Sequence, residues 1–261
     1  MPDVVVHISI AERAAEGLAP EISRLIRPEV FRFAAMAPDL FFAFRFFAPH
    51  FRRGVHKRSK AIHDSSPGAL VTALAANCER PEAFSFLCGW LCHYAADATL
   101  HPLVNALRGD RGYMHMAIEH KLEAVELKRQ GKSLMDVMAL LPPFPQVPEA
   151  RAAIKRVCGW DDNWDRVSYR HTKLLYRLFT DRLGLLNLLL GWTQGAPAAL
   201  SYRTRLADKL DLSPFDALET EAADLAARLM TAAYRCRAGE IDAEELRAII
   251  GNRNFAGVAV E

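Results

Sequence analysis

The residues best suited to chemistry lie in GWLCHYAADATLHP, Gly89 to Pro102. His93, Asp97 and His101 are spaced four and four, so on a helix each step drifts by only ~40° and the three share one face. From Phe84 to Ala96 no residue is charged, a pattern that predicts burial all round. An ionised Asp97 there is costly unless something positive compensates it, and a divalent metal held by imidazole and carboxylate does so directly. A hydrogen-bonded His–Asp core pair is the metal-free reading of the same residues. Pro102 disfavours helical geometry at His101, which predicts that the helix ends there.

His115 and Glu119 form a second seam, again four apart, beside the apolar stripe Met114, Ile118, Leu122 and Val125. Taken alone, that pair reads equally as a surface contact. Helices that stop and restart between Leu100 and Tyr113 would lie antiparallel, however, and bring the two seams together.

The elements that must hold these residues are helical. Apolar residues recur at spacings of three and four, and two-residue alternation is confined to Val4–Ile10. Helices are predicted at Ile10–Ile26, Pro28–Met36, Pro67–Asn77, Pro81–Leu100, Tyr113–Gln130 and Leu134–Leu140. Further helices are predicted at Glu149–Cys158, Trp164–Arg182, Leu185–Trp192, Pro197–Leu210, Pro214–Ala238 and Ala243–Ile250. Several begin with proline, and Gly131, Gly159, Gly239 and Gly251 stand where helices should stop. The predicted fold class is all-α, a multi-helix bundle with added C-terminal helices. LPPFPQVPEA, Leu141 to Ala150, divides a metal-binding half (1–140) from a C-terminal helical layer (141–261), the two packed as one domain.

Composition narrows the function classes. The 261 residues are 51% hydrophobic, enough for a sizeable core, and the formal charge of +2 provides no broad basic field, so nucleic acid is not the expected partner. None of the five cysteines is paired at zinc-ribbon or redox spacing, which suggests free thiols in a reducing compartment, with Cys88 and Cys92 in the core. MPDVVVHISI has no basic leader, and the longest apolar stretch, Leu183–Trp192, is half of the ~20 residues that span a bilayer. A cytoplasmic protein is expected, with room for peripheral membrane contact.

The order of His7, Ala-Pro-Asp ending at Asp39, His63 in AIHD, HxxxDxxxHP from His93 and HxxxE from His115 resembles the zinc-dependent phospholipase C family, whose superfamily includes fungal single-strand nucleases. The resemblance covers about the first 130 residues. It implies an all-helical fold, a multinuclear zinc site and hydrolysis of phosphodiester bonds in a small molecule or a phospholipid headgroup. It also implies that Asp39, His63, His93 and Asp97 hold one zinc, with Asp97 bridging, and that His101, His115 and Glu119 hold a second. A third would take Asp97, His7 and the amine and carbonyl of the first residue. Here the chain begins Met-Pro, so only Pro2, after methionine removal, could provide them. Two or three zinc ions are thus implied, with Asp39 as the general base.

Weaker features carry two readings each. Eight of the fourteen phenylalanines fall between Phe31 and Phe51, among them Phe41, Phe42, Phe44, Phe46 and Phe47, and form either core or a pocket beside Asp39. Arg52, Arg53, Lys57, Arg58 and Lys60 read as a solvated loop or a phosphate contact. His7 reads as a ligand or as a buried or strand-end histidine. His50, His56, His120 and His171 are expected at the surface or behind the ligands, and Trp160 and Trp164 in capping and packing. Two other functions fit the residues: an HD-type phosphohydrolase using His63 with Asp64, and an inactive zinc-binding protein that binds lipid or a protein partner. No HExxH, Glu-x-x-His, GxSxG or glycine-rich phosphate loop is present.

Overall fold

In the computed structural model, residues 4–43, 55–160, 163–180 and 185–260 are described, and they form helices with no β-strand among them. In chain order these are α1 (Val4–Glu16), α2 (Pro20–Ser23), α3 (Pro28–Leu40), α4 (Val55–Asp64), α5 (Gly68–Ala75), α6 (Pro81–Arg108) and α7 (Tyr113–Arg129). There follow α8 (Val137–Leu140), α9 (Pro148–Cys158), α10 (Trp164–Thr180), α11 (Leu185–Gly191), α12 (Ala196–Ala199), α13 (Pro214–Arg237) and α14 (Ala243–Ile250).

α6 is the central rod. Pro81 occupies its first turn, and every residue from Ala83 to Asp97 is buried, as an uncharged helix with apolar residues on all faces requires. α3 and α13 pack along it, and α1 is covered by α3, α6, α7 and α13. Arg13 and Arg129 both bond Glu219, at 3.1 and 2.8 Å, which ties α1 and α7 to α13. α14 is started by a capping box between Asp242 and Glu245, and residues 251–260 then run back over α6.

Four expectations are corrected. The alternating segment Val4–Ile10 is helical: helices cover α1 on every side and bury Val4 to Ala11, so tertiary burial overrides strand propensity. The single helix expected from Ile10 to Ile26 is divided between Glu16 and Pro20. α6 does not end at His101 but continues through Pro102 to Arg108, terminating at Gly109 with φ 54°. The proline costs one N–H bond to the Ala98 carbonyl, and Gly257 packs closely against that carbonyl and the proline ring. Between Pro197 and Leu210 only α12 is helical, and the Ser201 and Thr204 hydroxyls accept from the Arg203 and Leu206 amides and hold turns instead. One helix, α4, has no counterpart among those predicted.

The crossing of α3 and α6 sets the functional geometry. A Cβ on Gly89 would lie 2.3 Å from the Phe31 carbonyl oxygen and 2.7 Å from the Ala34 Cβ, so only glycine lets the backbones approach this closely. One turn beyond, His93 meets the end of α3, where Pro38 deprives the last turn of a donor.

Candidate metal centre

Five helices converge on one point. α6 presents His93, Asp97 and His101 along one stripe, α3 ends with Asp39, α4 carries His63 in its last turn, α1 supplies His7, and α7 supplies His115 and Glu119. All eight residues implied by the resemblance meet here.

Asp39, His63, His93 and Asp97 form the first donor group. His63 Nε2 lies 3.1 Å from Asp39 Oδ1 and 3.5 Å from Asp97 Oδ2, and His93 Nε2 lies 3.8 and 3.2 Å from the same two atoms. Four ligands about 2.05 Å from a tetrahedral zinc stand roughly 3.3 Å apart, and the observed separations bracket that value. His93 Nε2 and Asp97 Oδ2 are buried without a hydrogen-bond partner, which a shared cation remedies. His93 Nδ1 donates to the Ala35 carbonyl at 2.9 Å, so the ring turns its other nitrogen inward.

His101, His115 and Glu119 form the second group. His115 Nε2 is 2.9 Å and His101 Nε2 3.6 Å from Glu119 Oε1. Asp97 joins the two groups: Oδ2 faces His63 and His93, while Oδ1 is 3.6 Å from His101 Nε2 and 3.4 Å from His7 Nε2. His7 also lies 3.6 Å from Asp39 Oδ2 and stacks on His93 with ring centroids 4.0 Å apart, and its buried Nδ1 has no partner. The strand-end alternative for His7 is excluded by its place in α1.

The charges fit a cation. Burial pushes Asp97 upward, but His101 and His93 outweigh it and hold the carboxyl well below the usual range. Asp39 is likewise lowered, burial being overcome by His93 and the His63 hydrogen bond. Burial opposes protonation of His101, yet Asp97 and Glu119 carry it to about 10, whereas burial and His93 bring His7 down to about 4. Ionised carboxylates packed among imidazoles are the donor set of an open, cysteine-free zinc site.

The remaining sequence candidates are distributed differently. Asp64 is over half exposed and paired with Lys60, outside both donor groups, so the His63–Asp64 pairing needed by the HD reading is not formed. Phe31, Phe33 and Phe41 are core residues, and Phe42 lies against His63 at 5.1 Å; Phe44, Phe46, Phe47 and Phe51 are outside the described residues. Arg52, Arg53, His50 and the side chains of His56 and Lys57 are outside them too, while Arg58 sits over the Trp160 ring at 4.9 Å. Trp164 packs on Phe41. His171 Nδ1 donates to the Ala43 carbonyl at 3.0 Å. Of the two places expected for His120 the surface is excluded: it is fully buried, stacked on Tyr202, and burial lowers it to about 3.

Three contributors had no side-chain signal in the sequence. The Ala35 carbonyl and the Phe255 carbonyl, 2.9 Å from His101 Nδ1, are main-chain groups, and Gly89 acts by having no side chain. A glycine in the middle of an apolar helix was the one readable sign.

Among the described residues, no helix is long and apolar enough to cross a membrane. Residues 6–178 match the family model described as zinc dependent phospholipase C, a segment that contains every donor above and runs past the proline-rich break. No curated protein and no solved structure matches the chain.

Proposed function

Because the chain belongs to the zinc-dependent phospholipase C family, we propose that it is a zinc-dependent hydrolase of phosphodiesters, acting on a phospholipid headgroup or a comparable small phosphodiester. The observation that carries this reading is the pair of donor groups joined through Asp97, whose oxygens each face a different set of imidazoles. Asp39, His63, His93 and Asp97 would hold one ion, and His101, His115 and Glu119 a second, with His7 and Asp97 available to a third. When bound, zinc supplies the positive charge that polarises a phosphoryl oxygen and lowers the pKa of water towards neutrality.

The chain's own groups have separable tasks. The Ala35 and Phe255 carbonyls fix the ring orientation of His93 and His101. Glu119 and Asp97 keep a negative charge beside the imidazoles that favours a bound cation, and a cation would displace the proton that the same carboxylates hold on His101. Asp39 is the general base in this proposal: its Oδ1 engages the first group while Oδ2 faces His7, and its carboxyl is held ionised. A cytoplasmic location remains part of the proposal.

The test is hydrolysis of a chromogenic phosphodiester and of phospholipids by metal-loaded protein. Activity that is lost in chelator and restored by zinc is expected. Fully metallated protein that turns over neither lipid nor nucleotide esters would instead favour the catalytically inactive zinc-binding protein.

A further inference from the structure

Residues 251–260 lie beyond the segment shared with the family, yet they reach both donor groups. The Phe255 carbonyl accepts the Nδ1–H of His101 at 2.9 Å, and the Phe255 amide donates to the His63 carbonyl at 3.1 Å. The Phe255 ring is 1% exposed and stands 5.0 Å from the ring of His63, 5.8 Å from His93 and 5.3 Å from Tyr94. Tyr94 in turn donates to the Arg253 carbonyl at 3.2 Å.

The segment is built to keep this register. Asn254 Oδ1 accepts from the amides of Ala256 and Val258, both at 3.0 Å, and the Asn254 amide donates to the Val258 carbonyl at 2.8 Å. Gly257 closes the turn at φ 74° and sits where a Cβ would be 2.7 Å from the Ala98 oxygen and 2.8 Å from Pro102 Cγ. The turn is therefore seated on α6 against Ala98 and Pro102, where the proline interrupts the helical ladder next to His101.

We infer that this C-terminal segment is a working part of the metal centre, and that Phe255 is the positioning residue of the second donor group. A carbonyl only accepts, so its bond to His101 keeps a proton on Nδ1 and makes Nε2, which faces Glu119 and Asp97, the nitrogen that a metal would take. The first group is arranged otherwise. His93 takes its tautomer from Ala35 on α3, and the segment touches His63 through its main chain and ring face rather than through a ring nitrogen. Disturbing residues 254–257 should thus act selectively on the second metal equivalent. The inference rests on the zinc reading above.

The experiment measures stepwise zinc affinities of the full-length chain by competition with a chromogenic chelator, for wild type, Gly257→Val and Asn254→Ala, each with and without His101→Ala. Gly257→Val should weaken one equivalent by about 10- to 100-fold, the usual effect of losing the partner behind a ligand, and leave the other nearly unchanged. Asn254→Ala, which removes the turn acceptor and a long 3.5 Å bond to the Asp64 carbonyl, should act on the same equivalent to a smaller extent and serves if the valine variant fails to fold. In the His101→Ala background both effects should vanish. Parallel weakening of both equivalents, no weakening, or an effect that persists without His101 would each overturn the positioning role. Wild-type protein that binds no zinc would overturn the underlying zinc reading, and this inference with it, a result distinct from the others.

Discussion

Asp97→Asn is the most informative perturbation, because Asp97 is the group common to both donor sets. It is 3% exposed, and its two oxygens face four imidazole nitrogens at 3.2 to 3.6 Å. Asparagine keeps the shape but loses the charge, and it replaces one oxygen with an NH2 that has no lone pair for a metal. At most one group then keeps an oxygen from residue 97, and the negative charge the two groups share there is lost, leaving Asp39 alone in the first and Glu119 in the second. At free zinc ~1,000-fold above each dissociation constant, each bound ion adds about 4 kcal/mol to stability, so losing two removes roughly 8 kcal/mol. For a chain of this size each kcal/mol moves the melting temperature by about 2–4 °C, which makes the zinc-dependent gain of wild type some 15–30 °C. The assay pairs elemental analysis with thermal unfolding, in zinc and in chelator. Asp97→Asn should carry fewer ions and lose most of that gain. A variant with wild-type metal content and an undiminished rise in melting temperature would refute Asp97 as the shared ligand.

Three other outcomes are expected. His115→Ala, which removes the most exposed member of the second group, should cost one metal equivalent while the first group keeps its ion, as read by elemental analysis. Gly89→Ala should destabilise the fold by about 1–3 kcal/mol or more in denaturant unfolding, because the new Cβ collides with backbone atoms of α3 that cannot rotate away. Burial raises Glu123 to about 8 from an ordinary 4.5, a shift opposed by its bonds to Tyr202 and the Val5 backbone. The folded state therefore keeps a proton that the unfolded chain releases above pH 4.5, so this group's contribution to stability falls as pH rises from 4.5 to 8 and then levels off. The loss amounts to a few kcal/mol, and Glu123→Gln should flatten it: urea midpoints at pH 5 and 8 should differ less than in wild type.

Much of the centre was legible because it is local. The four-residue spacings of His93, Asp97 and His101, and of His115 and Glu119, put each set on one helix face, and the uncharged run around Asp97 announced a buried acid in want of a cation. Asp39, His63 and His7 were readable only through the order of motifs shared with a family, since nothing in VVVHISI or AIHD alone singles out a ligand. Apart from a glycine in the middle of an apolar helix, no sequence pattern disclosed the means of convergence. Gly89 sets the closeness of α3 and α6, α6 continues through Pro102 so that His101 stays on the stripe, and Gly257 lets the C-terminal turn rest on Ala98 and Pro102. The Ala35 and Phe255 carbonyls choose which histidine nitrogen faces inward, and every residue has a carbonyl, so neither carries a signature. The helical period and the donor types belong to short stretches of chain and are written in them. The meeting of five helices, and the burial of Val4–Ile10 and His120, depend on which surfaces pack together, and only the tertiary structure decides that.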